Sequence, residues 1–151
     1  MTNFTEKQLA RILRNQEAPA GKRQNVSRET LPAPTEAQDQ EWVIQWADAM
    51  VERHPELAFL HHSPNGFARS KAVGAQIKRA GSKAGFPDLV LLCARGGWHG
   101  LAIELKTVNG HTSPMQDVWL ENLRNEGYFV KVCRSANEAI VVIENYLQSG
   151  A

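Results

Sequence analysis

The chain has 151 residues, about the size of one domain, and its 42% hydrophobic and 22% charged residues are ordinary for a soluble globular protein. No stretch reaches membrane-spanning length and none reads as a signal peptide, which argues against a membrane protein and predicts a cytoplasmic one. The formal net charge of +1 argues neither for nor against a nucleic-acid partner, so the distribution of charge has to carry that question.

Residues 1–34 read as an N-terminal appendage and linker. Thr5 and Gln8 have capping-box spacing for a short helix to about Asn15. A polar stretch from Glu17 to Asn25 follows, and Leu31-Pro-Ala-Pro34 closes it as an extended segment. Thr35 caps a helix to about Arg53, with Trp42, Val43, Trp46, Ala49 and Met50 at helical spacing. Pro55 ends it, Leu57–His62 reads as a strand, and Pro64-Asn65-Gly66 as a turn. A weakly apolar helix through Ala72, Val73, Ala75 and Ile77 ends at Gly81. Asp88–Cys93 is a strand buried on both faces, Arg95–Gly100 a hairpin connection, and Leu101–Lys106 the partner strand. Ser113, Pro114 and Gln116 start a helix that stops at Gly127. Tyr128–Cys133 is a strand, and Ser135 with Glu138 forms a second capping box for a helix to about Leu147. From residue 35 the order is α, β, α, β, β, α, β, α. It predicts an α/β domain over 35–151, with a mixed central sheet flanked by helices. Cys93 and Cys133 each lie in an apolar run and read as reduced, partly buried thiols.

The chemistry concentrates in Asp88, Glu104 and Lys106. Side chains alternate along a strand, so Glu104 and Lys106 project from one face while Ile103 and Leu105 face the other. A carboxylate and an ammonium on the inner face of a central strand are costly unless they serve a partner or an ion. Asp88 begins the neighbouring strand and reaches the same end of the sheet. Two carboxylates without histidine or thiol suit a hard cation such as Mg²⁺ or Mn²⁺, and a lysine beside them can orient water or stabilise phosphate charge. An isolated Glu-Leu-Lys reads better as a buried ion pair; the Pro87-Asp88 at the preceding strand reverses that preference in favour of the metal site. His61, His99 and His111 have no metal-ligand spacing. Trp42, Trp46 and Trp119 read as core residues, and Trp98 as an exposed side chain in a Gly-rich hairpin.

Gly85-Phe-Pro-Asp-Leu-Val-Leu-Leu92 followed by Gly100-Leu-Ala-Ile-Glu-Leu-Lys106 resembles the core of the VRR-NUC domain, a branch of the PD-(D/E)xK nuclease superfamily. His62-Ser-Pro-Asn-Gly66 with Arg69-Ser70, Gly81 with Lys83-Ala-Gly85, Ser113-Pro-Met-Gln116 with Trp119-Leu120, and Gly127–Cys133 are similar to further stretches of that family. The resemblance covers about residues 35–147. It implies a restriction-endonuclease-like core and a metal-dependent DNA nuclease that hydrolyses phosphodiester bonds. Asp88 and Glu104 would be metal ligands, the Leu105 carbonyl a further ligand, and Lys106 the catalytic lysine. It also implies a carboxylate from the first core helix. Glu36 matches best, although an acid at a helix start equally complements the macrodipole. Glu41 is the runner-up and points away from the face of Glu36 and Gln40.

Gln116 has two readings, a capping-box residue and, by resemblance, a neighbour of the catalytic centre. His62, Asn65 and Arg69 line a substrate groove or simply build a turn. Arg69, Lys71, Lys78, Arg79 and Lys83 form a basic stripe with no acidic residue between them, a phosphate-facing surface or a solvated helix face. Stand-alone chains of this size resemble phage-encoded enzymes, and some relatives of the fold act as dimers on four-way DNA junctions. Structure-specific cleavage of branched DNA by a homodimer, general or nicking cleavage of duplex DNA, and a catalytically silent DNA-binding module therefore all stay open.

Overall fold

The computed structural model describes residues 33–64 and 70–150. The expected short helix after Thr5, the linker up to Pro32, the turn at Asn65-Gly66, and Arg69 lie outside the described residues. Four helices are described, α1 (Glu36–Met50), α2 (Lys71–Arg79), α3 (Pro114–Asn125) and α4 (Ala136–Gln148). Four strands, β1 (Leu60–His62), β2 (Leu89–Leu91), β3 (Leu101–Leu105) and β4 (Phe129–Cys133), form one sheet in that order. β1, β2 and β3 are antiparallel neighbours and β4 is parallel to β3, so the sheet is mixed.

The alternation of β3 separates two cores. Leu101, Ile103 and Leu105 pack with Val43, Ala47, Ala139 and Ile143 from α1 and α4. Ala102 packs on the other face with Val90, Val130 and Leu120 of α3. Because side-chain direction has period two, Glu104 and Lys106 fall on the α3 side.

Local chemistry starts each helix. The Thr35 hydroxyl accepts from the Gln38 N–H at 3.3 Å and the Gln38 side chain accepts from the Thr35 N–H at 2.9 Å, a reciprocal box. Ser113 and Gln116 repeat it at α3, with Pro114 in the first turn. Gly127 follows α3 at φ +78°, the left-handed conformation in which a helix ends without a Cβ penalty.

Several boundaries differ from those the sequence suggests. The first helix ends at Met50, not near Arg53. Residues Leu57–Phe59, expected to begin a strand, belong instead to a 3-10 helix, Pro55–Phe59, with proline in its first turn, and β1 starts only at Leu60. The fixed φ of Pro55 suits the first turn of a helix, and one turn suffices to bury Leu57. The apolar strand is shorter than Asp88–Cys93; it ends at Leu91, and Leu92 is 64% exposed. Trp42 is 47% exposed and not a core residue. Ser135 caps α4, but Glu138 returns its carboxylate to the Arg134 N–H (2.7 Å) instead of the Ser135 N–H, so the second box is not reciprocal.

Candidate active site

The antiparallel register pairs Leu89 with Ile103, so one step further Asp88 stands opposite Glu104. Opposed residues of two strands share a face. The Asp88 carboxylate also accepts a hydrogen bond from the Leu105 N–H at 2.8 Å. Asp88 thus ends the ladder with its side chain where another strand would supply a carbonyl. Pro87 before it is buried and cannot donate to the ladder.

Glu104 has no exposed surface. Its Oε1 accepts from Lys106 Nζ at 2.6 Å and from Gln116 Nε2. Among the described residues its Oε2 is buried and has no donor against it. Burial pushes the Glu104 pKa up from 4.5 to about 7, opposed by the hydrogen bond from Lys106 and reinforced by the charge of Asp88. Burial likewise raises Asp88, against the Leu105 N–H and the positive Lys106. Burial on its own would lower the Lys106 pKa, but the Glu104 carboxylate outweighs it and holds the ammonium above its usual value. A carboxyl raised while bridged to a lysine is unusual for an ion pair. Here the lost hydration of Glu104 and the second carboxyl beside it exceed what one ammonium returns.

Gln116 serves two partners at once. Its side-chain oxygen closes the capping box on the Ser113 N–H, which leaves the amide nitrogen for Glu104. The capping role and a place beside Glu104 are therefore compatible in one conformer. The close seat of α3 depends on Gly85. At φ +83° a Cβ there would come within 2.6 Å of the Met115 backbone and 2.8 Å of the Gln116 nitrogen.

Glu36 comes to this end of the sheet, but to the lysine. Its carboxylate accepts from Lys106 Nζ at 3.3 Å and from the Thr107 N–H at 3.2 Å. The Leu105 carbonyl also accepts from Lys106 Nζ, at 2.8 Å. Among the described residues no three His, Cys, Asp or Glu side chains converge as a ready metal cage. Asp88 and Glu104 are the carboxylate pair, and Glu36 joins them through the ammonium. Glu41 is exposed and accepts from Gln45 instead.

The residues expected to meet DNA are spread more widely. His62 is exposed on β1, and Lys71, Lys78, Arg79 and Lys83 are all exposed. α2 has no buried residue. A groove of about 500 Å³ runs between its C-terminal end and the body of the domain, lined by His61, Ser63, Ile77, Lys83, Phe86 and Trp119. The Ser63 N–H donates to the Asp88 carbonyl at 2.8 Å, so this groove reaches the backbone of the site. Trp119 is half-buried; its indole N–H donates to the Ala84 carbonyl and its ring meets Phe86 edge-on.

Two residues beside the site are not evident from the sequence. Asp39, one turn after Glu36, is buried and accepts from the Ala136 N–H at 3.0 Å, tying α1 to the start of α4. Arg134 binds the turn that follows Lys106 through three carbonyls. For Asp39 the sequence offers only an acid in a first helical turn. For Arg134 the available signal is its place directly after the last strand.

The VRR-NUC domain model matches residues 22–137. No curated protein matches. A solved structure described as a VRR_NUC domain protein is 36% identical over 80% of this chain and 93% of that one, with a TM-score of 0.64. The mixed sheet with its flanking helices is accordingly an α/β fold of the restriction-endonuclease type. With the matched stretch spanning the helix, hairpin and post-lysine elements that build this carboxylate–lysine cluster, the chain belongs to the VRR-NUC nuclease family.

Proposed function

We propose that the chain is a Mg²⁺- or Mn²⁺-dependent endonuclease that hydrolyses phosphodiester bonds in DNA, with Asp88, Glu104 and Lys106 at its centre. The observation that carries this reading is the buried, donorless Glu104 Oε2 beside a second carboxylate. A buried oxygen without a partner is costly, and a hard divalent cation is the partner that a carboxylate pair suits. The donor set fits such an ion: Asp88, Glu104 and the Leu105 carbonyl, whose second lone pair is spare, with Glu36 completing it. When bound, the cation lowers the pKa of water and neutralises phosphate charge.

The chain's own groups do the rest. Gln116 and Lys106 both hold Oε1, which fixes the rotamer of Glu104 and leaves Oε2 for the ion. Lys106 orients the attacking water and offsets the negative charge that develops at phosphorus. Its three oxygen partners keep the ammonium protonated and in place. The exposed cations of α2, with Lys83, His62, Asn65 and Arg69, hold the phosphates on either side of the scissile bond. Branched DNA, four-way junctions included, cut by a homodimer is the substrate reading we favour; general or nicking cleavage of duplex DNA is the alternative.

The test is a panel of labelled linear, nicked, flapped and four-way DNA incubated with Mg²⁺, Mn²⁺ or chelator. Metal-dependent cuts, strongest on branched forms, are the expected result. Equal cutting of every form would favour the general nuclease. Tight binding of DNA without any cleavage would leave a silent DNA-binding module.

A further inference from the structure

β4 runs parallel to β3 with Leu105 paired to Cys133, and the Lys106 N–H continues the ladder onto the Cys133 carbonyl at 2.9 Å. The next residue of each strand is therefore Lys106 on one side and Arg134 on the other. Lys106 points into the site. Arg134 instead reaches the turn just beyond it, where its Nη1 donates to the carbonyls of Thr107 (2.9 Å), Val108 (3.0 Å) and Gly110 (2.9 Å).

Such a gathering needs a cause. Three carbonyls facing inward on a tight turn repel one another, and the turn itself is closed by a single bond from the Gly110 N–H to the Thr107 carbonyl at 2.9 Å. A guanidinium nitrogen is a charged donor with no acceptor side, so it can satisfy several oxygens at once. With the turn held this way, the Thr107 N–H donates to Glu36 at 3.2 Å, and the other Glu36 oxygen meets Lys106. The space is tight. A Cβ on Gly110 would lie 2.9 Å from the Thr107 hydroxyl and 3.3 Å from Glu36 Oε1. Turn, Glu36 and lysine thus share one hydrogen-bond network, and Arg134 binds it from outside.

We propose that Arg134 is a positioning residue for this site: it locks the turn Thr107–Gly110 and thereby sets Glu36 against Lys106. This rests on the nuclease reading above. Arg134 touches none of the proposed reacting groups, so its effect should fall on turnover and not on substrate binding.

The full chain is compared as wild type, Arg134→Ala and Arg134→Lys, by amide hydrogen exchange and by cleavage kinetics. In Arg134→Ala the Thr107 and Gly110 amides should lose protection while those of Leu101–Leu105 keep theirs. The kcat should fall about 10- to 100-fold with KM nearly unchanged, in the range typical of groups that orient ligands of a metal site. Free guanidinium ion at low millimolar concentration should restore both protection and rate, and Arg134→Lys should keep part of each, since an ammonium also donates to several carbonyls. Unchanged Thr107 protection in Arg134→Ala overturns the proposal. So does lost protection with an unchanged kcat. If the wild type cuts no DNA, the nuclease reading fails, and the exchange arm with guanidinium still decides whether Arg134 sets the turn.

Discussion

A carboxyl group without exposed surface gives up its water, and among the described residues Glu104 receives donors in return only at Oε1. The imbalance appears as a pKa pushed up to about 7. Its consequence for cation binding has a definite sign. Below about pH 7 Glu104 holds a proton, and a divalent ion must displace it to take Oε2. Apparent Mn²⁺ affinity should therefore rise by up to about tenfold per pH unit below 7 and flatten above it. Titration calorimetry in buffers of different ionisation enthalpy would register the released proton. Binding that ignores pH between about 5 and 8 would mean that Glu104 does not ligate. In Glu104→Gln the dependence should vanish together with most of the affinity.

At the scale of elements, the site is a meeting of β2, β3 and the first turn of α3. Gly85 makes the third approach possible. Gly85→Ala would place a Cβ against the Met115 backbone and force an alanine into a left-handed conformation. We expect a loss of at least about 2 kcal/mol, seen as a lower Tm, together with reduced cleavage as Gln116 withdraws from Glu104. A Gly85→Ala protein with unchanged melting would show that α3 does not need this close seat. The parts that could be read in the sequence are those with local causes. The Ser113–Gln116 box and the stop at Gly127 depend on residues a few positions apart. The shared face of Glu104 and Lys106 follows from strand alternation alone. What escaped were contacts made across the chain. Asp39 and Ala136 are 97 residues apart, and Arg134 lies 24 to 27 residues from the carbonyls it binds. No local pattern encodes such pairs. The early end of β2 escaped for a different reason. Leu92 and Cys93 are apolar, but Leu92 faces solvent, where tertiary context overrides composition. Likewise Pro55–Phe59 shows that an apolar run after proline can bury its leucine by a turn as well as by a strand.

At the scale of the whole molecule, a net charge of +1 conceals a basic helix, α2, whose C-terminal end borders the groove lined by Phe86 and Trp119. Neutralising Lys71, Lys78 and Arg79 together should weaken binding to all DNA sequences. It should also flatten the dependence of log K on log salt by roughly one unit for each phosphate that is no longer neutralised. An unchanged slope would put the DNA on another face. We place the catalytic unit at residues 35–151, because the cap of α1 and every hydrogen bond of the Glu36 side chain described above lie downstream of Pro34. The family match begins earlier, at residue 22. A chain starting at Pro34 should still cleave; if it folds but is inactive while one starting at residue 22 is active, the boundary belongs at the earlier point. The central claim is that Asp88, Glu104 and Lys106 together break phosphodiester bonds, and Lys106 tests it most directly. Losing its ammonium leaves Glu104 able to take up a proton, so the fold should survive. Distributed phosphate contacts should preserve most of the DNA affinity. Single-turnover cleavage with Mg²⁺ by a folded, DNA-binding Lys106→Ala protein is predicted to fall at least about 10²-fold below wild type, and cleavage at a near-normal rate would contradict the account.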